Sequence, residues 1–581
     1  MDRHEQITAE ILRAKFESVV EEMRATLTNT ACSSTISDSK ECCSGLFTET
    51  GELVAIDNPL HIPSMTETAA AVLDYFQYDL GTEDIILTND PYLGGTRVQD
   101  FTVIAPISFE DEIVAYLGIR AHMEDFAGDL RGNYNPRATD VWAEGARCPP
   151  LKIYRDGKLL KDTLATIILN SRNPEAFRLD LDAMLAAQNI GQRRIAELFH
   201  QYETHSVLSA MNWVIDYAER RFRSMIATWP SGEYRGAKLL AHDCQETSDL
   251  AIRATLRVTQ DGLEFDFSET DRQTTSFVNA TAAVTLGYCL LPIFAAFEGD
   301  VPKNAGSLRC VNLITRSGTL VDVAYPAPTA WSLQHVGSEI AGAVLDGISA
   351  FLPERVTNVV GNRMLFFTVQ RGIRNGYTVE QLAVRDYARF GQGGAGGTAG
   401  RDGWGMPGVS AVAPLPSVEM YEAESGGRID KLEFVEDSAG PGEWRGGAGT
   451  EIHIRLPKPA LGDLYLTACV VGNTEGETGL AGGQLGISNR IEILDGNKPT
   501  VIKTQHIDTL VKANTRVSVI TGGGAGWGSP FERDPKLVLD DVANGCLSIE
   551  AARRDYGVVI EPDGPSLNAN ETNNIRSEMN R

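Results

Sequence analysis

Apolar residues recur at helical spacing in several parts of the chain. Between residues 5 and 28 they fall three or four positions apart, which predicts an amphipathic helix. The same spacing, or a long apolar run, predicts further helices over residues 65–79, 174–228, 275–298, 335–352 and 535–555. Helices are therefore expected mainly before residue 360.

Short apolar runs bounded by Gly, Pro, Asn or Asp predict strands. They cover residues 84–88, 101–108, 112–119 and 236–268, with a hairpin over 44–57. After residue 360 the pattern changes to strands between glycine turns, whereas residues 123–150 look irregular because Gly, Pro and Asn recur there.

These patterns predict an α+β multidomain fold. A mixed α/β N-terminal and middle region would precede a β-rich, glycine-rich C-terminal region. We expect regions at residues 1–230, which hold the site motifs, 231–360 and 361–560. The polar tail, residues 561–581, is expected to be mobile.

Charge and cysteine usage narrow the class of protein. A net charge of −26 disfavours nucleic acid as a partner, because phosphates would be repelled. The nine cysteines form no C-x-x-C pair and no signal peptide is evident, so reduced thiols in the cytoplasm are expected. Residues 277–297 lack charge over a membrane length, but their polar residues and proline favour a buried helix and no membrane span.

Two strand ends have ionisable residues that suggest one shared site. Residues 88–100 read TNDPYLGGTRVQD, and residues 120–125 read RAHMED. Each segment adjoins a predicted strand, and glycines beside charged groups indicate that the backbone approaches something closely. Arg97, Asp100 and His122 are the candidate functional residues of these segments.

Both segments resemble motifs of the B subunits of ATP-dependent hydantoinases and 5-oxoprolinases. Related subunits occur in acetone and acetophenone carboxylases and in caprolactamase. The family motifs read roughly N-D-P-x-x-G-G-T-H-x-x-D and R-x-H-H-x-D. The resemblance continues through WAEG at 142–145, FDFS at 265–268, VPKNAG at 301–306, DSAGPGEWRGG at 437–447 and TGGG at 521–524. It thus extends over nearly the whole chain.

The resemblance implies a site for a divalent metal, Zn or Mn. One of the family's ligand residues is replaced in this chain. The family's ligands fall on Glu41, Asp100 and His122, but the fourth position, a histidine in the family, is Arg97. Arginine stays protonated and offers no lone pair to a metal. The second histidine of R-x-H-H is Met123 here.

Two interpretations of Arg97 follow. Its guanidinium would take the place of the metal cation and hold a phosphate, carboxylate or bicarbonate group by a bidentate contact. Alternatively, a buried ion pair between Arg97 and Asp100 only braces the loop. His122 is likewise either a general base oriented by Asp100, or a hydrogen-bonded core histidine.

The resemblance implies that two subunits carry out different steps of one reaction. A hydantoinase A-like partner with an ATPase fold would bind ATP and phosphorylate a poor electrophile, in a hetero-oligomer such as (αβ)2. This chain would then complete the opening of a cyclic amide such as a hydantoin, 5-oxoproline or lactam. A ketone carboxylase subunit that uses bicarbonate is the alternative, and a non-catalytic scaffold for the ATPase is the third.

Three weaker patterns favour structural roles. The glycine-rich runs at residues 391–397 and 521–526 lack the Lys-Ser/Thr ending of a P-loop, which favours structural loops over phosphate cradles. His335 precedes an apolar helix. Capping or core packing is favoured there over contact with a substrate cavity.

Overall fold

The computed structural model describes residues 3–579 except 124, 132–133, 246, 298, 300, 358–362, 375–376, 385–392, 406–416, 460–461, 473–477, 495–498 and 562–565. Within these ranges the chain forms two compact units. The first takes the described residues of 1–235 and 252–340, and the second those of 236–251, 341–410 and 415–581. The predicted boundaries at 230, 360 and 560 stay a prediction.

The helices and strands alternate early and strands dominate late. The helices are α1 Arg3–Thr30, α2 Ser34–Ser37, α3 Ile62–Phe76, α4 Val141–Glu144, α5 Lys161–Leu169, α6 Pro174–Gln201, α7 Thr204–Ile226, α8 Ala282–Ala296, α9 Ala305–Leu308, α10 Val336–Ser349, α11 Val418–Ser425, α12 Pro535–Ala543, α13 Ile549–Tyr556 and α14 Ala569–Met579. The strands are β1 Cys42–Thr48, β2 Leu53–Ile56, β3 Ile85–Thr88, β4 Asp100–Phe109, β5 Glu112–His122, β6 Leu151–Arg155, β7 Lys158–Leu159, β8 Gly232–His242, β9 Ser248–Val258, β10 Leu263–Asp266, β11 Val311–Ile314, β12 Arg363–Arg374, β13 Tyr377–Val384, β14 Arg428–Phe434, β15 Thr450–Arg455, β16 Asp463–Val471, β17 Arg490–Leu494, β18 Thr500–Ile502, β19 Gln505–Val511, β20 Arg516–Ile520, β21 Ile560–Glu561 and β22 Ser566–Leu567. The α+β fold class is confirmed.

A seven-stranded antiparallel sheet in the order β2-β1-β5-β4-β3-β6-β7 forms the centre of the first unit. Neighbouring residues of β5 show that helices cover both faces. Leu117 approaches Gly191 of α6, whereas Gly118 lies against Met65 of α3. Because successive side chains point to opposite faces, β4 and β5 are buried on both sides. This explains why they read as continuous apolar runs.

The predicted elements near the site are confirmed with small shifts of their ends. The first predicted helix is α1, the hairpin is β1–β2, and the three predicted strands are β3, β4 and β5. The helical stretch over 174–228 is two helices, α6 and α7, which are separated at residues 202–203. A second sheet, with the strand order β11-β10-β9-β8, contains the parallel pair β10–β11.

Two sheets share one core in the second unit. Their orders are β13-β12-β16-β19 and β14-β15-β20-β17-β18. Phe366 and Leu466 of the first sheet pack in the same apolar cluster as Ile452 and Val517 of the second. The β-rich C-terminal region is therefore a sandwich of two sheets.

The glycine-rich runs are structural loops, as predicted. Residues 391 and 392 lie outside the described residues, but the amides of Gly394 and Gly524 donate to the carbonyls of Gly522 and Gly447 at 2.9 Å each. A Cβ on Gly394 would lie 1.9 Å from the Gly447 carbonyl oxygen. The backbones of three segments thus pack directly on one another, and these amides bind carbonyls of the chain.

Two further expectations have clear outcomes. The apolar run at 277–297 contains the buried helix α8, and no helix in the described ranges is long and apolar enough to cross a membrane. The expectation of a mobile tail was wrong for residues 569–579, which form α14. The side chain of Arg576 donates to the carbonyls of Tyr556 and Arg533, which holds this polar helix in place.

Candidate functional site

The neighbouring strands β1, β5 and β4 bring Glu41, His122 and Asp100 together at one end of the sheet. Asp100 begins β4 and lies opposite His122, which ends the antiparallel strand β5. The His122 amide donates to the carbonyl of Glu41 at 3.0 Å, just before β1 begins. The sequence prediction of one shared site is consistent with this register, although Glu41 comes from a segment 81 residues before His122.

Arg97 enters the site from the glycine turn that precedes β4. Gly94 has a φ of +76°, and a Cβ there would lie 2.4 Å from the amide nitrogen of Thr68 in α3. Asn89 fixes the base of the turn, since its side-chain amide donates to the carbonyl of Val98 at 2.6 Å. The close backbone approach predicted for these glycines is, at Gly94, an approach to α3, whereas Gly95 lies against the backbone of Asp90 in its own turn.

The guanidinium of Arg97 uses all five of its N–H donors within the chain. Two go to Asp100, Nε to Oδ2 and Nη2 to Oδ1, each at 3.0 Å. Nη2 also donates to Oε2 of Glu41 at 3.0 Å, while Nη1 donates to the Tyr134 hydroxyl at 3.0 Å and to Oε1 of Gln334 at 3.2 Å. A guanidinium has five N–H donors, so none is left for a substrate anion. The geometry favours the bracing ion pair over the bidentate anion site.

Asp100 is saturated in the same way. Its two oxygens accept the pair from Arg97, a bond from His122 Nδ1 at 2.9 Å, and a short bond from the Thr96 hydroxyl. A carboxylate offers about four acceptor positions, and all four are used. Burial alone would raise the pKa of Asp100, but the charge of Arg97 and the bond from His122 outweigh it and hold the pKa well below its usual range.

These contacts fix the tautomer of His122. Because Asp100 is an ionised acceptor, His122 Nδ1 must carry the proton of their shared hydrogen bond. In the neutral ring Nε2 then holds the lone pair. The ring is buried and stacks on Tyr134 with centroids 6.2 Å apart. Asp100 thereby orients the ring through Nδ1, which leaves Nε2 as the ring nitrogen that could accept a proton.

A second buried arginine lies beside this cluster and faces hydroxyls and carbonyls. Arg120 donates to Thr102 Oγ1 at 2.9 Å and to Ser64 Oγ and Thr68 Oγ1 at 2.7 Å each. Ser64 Oγ lies 3.5 Å from Nδ1 of His61. Burial and the positive charge of Arg120 lower the pKa of His61 to about 3. His61 is therefore a neutral imidazole at physiological pH.

Glu144 anchors the segment that supplies Gln334. Its carboxylate accepts the amides of Thr329 at 2.8 Å and Ala330 at 2.7 Å. Burial raises the pKa of Glu144 to about 8, although the two backbone bonds act in the opposite direction. Gln334, four residues further on, donates from Nε2 to the Tyr134 hydroxyl at 3.0 Å and so closes the ring of contacts around Arg97.

His335 packs in the core, as predicted. Its side chain is fully buried, and its ring lies 4.9 Å from that of Trp331. Nδ1 approaches Oε2 of Glu339, one turn along α10, at 3.5 Å. The neighbouring residue Gln334, and not His335, reaches the candidate site.

Comparison with known proteins identifies the family of the chain. The sequence profile of the hydantoinase B/oxoprolinase family matches residues 5–530. The chain belongs to this family. Caprolactamase subunit beta of Pseudomonas jessenii is 29% identical to it, over 97% of this chain and 98% of the relative. The family resemblance drawn from the sequence is confirmed.

Solved structures extend the comparison to the fold. The crystal structure of ATP-dependent caprolactamase from Pseudomonas jessenii matches with a TM-score of 0.87 at 26% identity, over 98% of this chain and 99% of that chain. A nucleotide-free structure of acetone carboxylase matches with a TM-score of 0.84 at 17% identity, over 99% of this chain and 83% of that chain. The second likeness concerns the fold alone.

The residues of this hydantoinase B-family chain do not fit the divalent metal that its resemblance implies. Glu41, Asp100 and His122 do converge, but the Arg97 guanidinium lies between the two carboxylates. His122 Nδ1 carries a proton towards Asp100, and Asp100 has no acceptor position left. Among the described residues no group of three or more His, Cys, Asp or Glu side chains is arranged to hold a metal.

Sequence reasoning found four residues of the cluster and missed two. Arg97, Asp100, His122 and Glu41 were all predicted, and the structure brings them together. Tyr134 and Gln334 were missed. Tyr134 lies in an irregular segment, and Gln334 directly precedes His335. A tyrosine in a glycine- and asparagine-rich stretch gives no local sign of such a role.

Proposed function

We propose that this chain is the B-type subunit of an ATP-dependent amidohydrolase that opens a cyclic amide such as a lactam, hydantoin or 5-oxoproline. The observation that supports it most is the end-to-end similarity to caprolactamase subunit beta, in sequence and in fold. Relatives that differ in architecture share only domains, whereas here both chains are covered almost completely. The proposal includes an A-type ATPase partner in a hetero-oligomer, in the cytoplasm, where ATP is available.

In this reaction ATP would serve to activate the amide carbonyl. The carbonyl of a lactam is stabilised by resonance with its nitrogen and is a poor electrophile. Phosphorylation of the carbonyl oxygen by the partner would create a good leaving group and an activated carbon. This chain would then direct water onto that carbon, and the ring C–N bond would break as the amine leaves with a proton. A second water would hydrolyse the acyl phosphate that remains to the carboxylic acid and inorganic phosphate.

His122 is the general base of this proposal. Its Nε2 would take the proton from the attacking water, and Asp100, bound to Nδ1 at 2.9 Å, would hold the ring and stabilise the imidazolium. Arg97 touches no substrate in this account and acts as a positioning residue for Asp100.

A scaffold for the ATPase subunit is the second candidate. It is supported by the closed set of contacts around Arg97, since a site that satisfies all its own donors resembles a structural brace. Under this alternative His122 is only a buried partner of Asp100. The two candidates differ in whether His122 is needed for turnover in an intact complex.

The test is turnover by this chain purified with its ATPase partner. Caprolactam, hydantoin and 5-oxoproline would be compared with acetone and acetophenone, with and without labelled bicarbonate. Ring opening that depends on ATP and on the amide supports the proposal. Ketone turnover with incorporation of bicarbonate would establish the carboxylase instead, and no turnover with any substrate would leave the scaffold.

A further inference from the structure

The positive charge of Arg97 is fully committed to the candidate site. Its side chain is 3% exposed, and its five N–H donors meet five acceptors from four residues, which are Glu41, Asp100, Tyr134 and Gln334. Such a planar fork binds carboxylates with fixed geometry and does not lose its proton. The cation is thus fixed by hydrogen bonds at every N–H and by its covalent link to the turn that precedes β4.

The lone pairs that face Arg97 are equally committed. Both oxygens of Asp100 are saturated, and Oε2 of Glu41 accepts from Arg97. His122 presents a protonated Nδ1 to Asp100. A divalent ion among these three side chains would have to displace the guanidinium and would otherwise lie beside it, with strong repulsion in a buried place.

We propose that the guanidinium of Arg97 is the built-in cation of this site and excludes a divalent metal ion from Glu41, Asp100 and His122. The proposal concerns ion binding by this chain and does not depend on the proposed amidohydrolase activity. The single positive charge of Arg97 compensates only one of the two carboxylate charges of Glu41 and Asp100, whereas a divalent ion would compensate both. The site is therefore one charge more negative than the same ligands around a divalent metal.

Metal titration of the full chain tests the proposal directly. Co²⁺ and Zn²⁺ are each added to the apo protein after dialysis against a chelator, with stoichiometry read by calorimetry and coordination by the visible absorption of Co²⁺. The wild-type chain is expected to show no site that responds to His122→Ala. Arg97→His removes the guanidinium and adds an imidazole, so it is expected to bind one equivalent and to lose it when Asp100→Asn is added.

The control separates this effect from the addition of a surface histidine. Arg194 pairs with Glu22 through two contacts of 2.8 Å on the exposed faces of α6 and α1, so Arg194→His adds an imidazole beside a carboxylate away from the site. It is expected to bind Co²⁺ no better than wild type. If Arg97→His does not fold, Arg97→Gln removes the charge with a shorter neutral side chain and is expected to gain Co²⁺ binding.

Two results would overturn the proposal. The first is one equivalent of Co²⁺ or Zn²⁺ bound by the wild-type chain and lost in His122→Ala. The second is a folded Arg97→His or Arg97→Gln chain that binds no more metal than wild type. In either case the guanidinium would not be what keeps the ion out.

Discussion

At the scale of single residues, Arg97 decides the character of the site. The chain places a guanidinium where the resemblance implies a metal ligand, and the structure turns that substitution into a closed network with Asp100 and Glu41. A buried ion pair of this kind is costly to break, because removing one partner leaves an uncompensated charge. Its contribution is therefore visible in stability as well as in ion binding.

Arg97→Met is expected to lower the free energy of unfolding by about 3–5 kcal/mol, since Asp100 and Glu41 would keep their charges without the opposite charge of Arg97. Arg194→Met is the matched control, as that arginine also makes a two-contact pair, with Glu22, but on the surface. The control is expected to change little. Urea unfolding of both variants measures the difference, and equal losses would contradict the account of a buried charge network.

His61 gives a prediction for pH. Its pKa is lowered to about 3 in the folded chain by burial and the charge of Arg120, against about 6.5 in an unfolded chain. Between these values the unfolded state binds the proton and the folded state does not. The stabilisation is therefore complete above pH 6.5 and is lost as the pH falls towards 3.

His61→Gln is expected to remove this dependence, so that its stability falls less steeply than that of wild type between pH 6 and pH 4. The difference in slope is about 1.4 kcal/mol per pH unit for one proton. His205→Gln, at an exposed position on α7, serves as the control. Parallel stability curves for His61→Gln and wild type would show that His61 titrates normally when folded.

The sequence revealed part of this site and not the rest, for a physical reason. Arg97, Asp100 and His122 lie within two motifs at strand ends, so their types and spacing were informative. The saturation of Arg97 was not, because two of its five acceptors come from Tyr134 and Gln334, the latter 237 residues away along the chain. The choice between an anion site and an ion pair depends on those two residues.

At the scale of elements, the antiparallel register of β1, β5 and β4 places the site. Asp100 and His122 are register partners, which follows from the strand boundaries near 101 and 119 that the apolar runs predicted. The position of α3 was harder to predict. It depends on Gly94 and on α8, which packs on the turn at residues 59–61 through Gly287.

Gly287→Ala tests that contact. A Cβ there would lie 2.2 Å from the carbonyl oxygen of Leu60, beside His61, and a backbone atom cannot rotate away. The substitution is expected to destabilise the chain by roughly 1–3 kcal/mol through overpacking, despite the better helix propensity of alanine.

Gly191→Ala in α6 is the comparison for this prediction. Its Cβ would meet the sulfur of Met23 at 2.4 Å and Cδ1 of Leu117 at 2.7 Å, both of which are ends of flexible side chains. It is expected to cost less than Gly287→Ala in the same thermal unfolding experiment. A larger loss for Gly191→Ala would mean that α8 does not rest on the backbone of the 59–61 turn.

At the scale of the whole molecule, the hydrophobic pattern and the family resemblance predicted the fold class but missed some individual elements. Periodicity predicted α1, α3 and the strands β1 to β5 of the central sheet, because these bury one or both faces in a regular way. It missed α14, since that helix is polar and is held by Arg576 and a few buried contacts. The glycine-rich loops of the second unit were predicted to be structural because they lack the Lys-Ser/Thr ending of a P-loop.

The central claim is that this chain contributes chemistry, through His122, to an ATP-dependent opening of a cyclic amide. The most direct test is the rate of ring opening per complex for wild type and His122→Asn, each assembled with the ATPase partner and given caprolactam, hydantoin or 5-oxoproline with ATP. The account predicts ring opening by the wild-type complex and a loss of about 10²–10⁴-fold in His122→Asn, with assembly and folding unchanged. Equal rates in the two complexes would contradict it and would make the chain a scaffold.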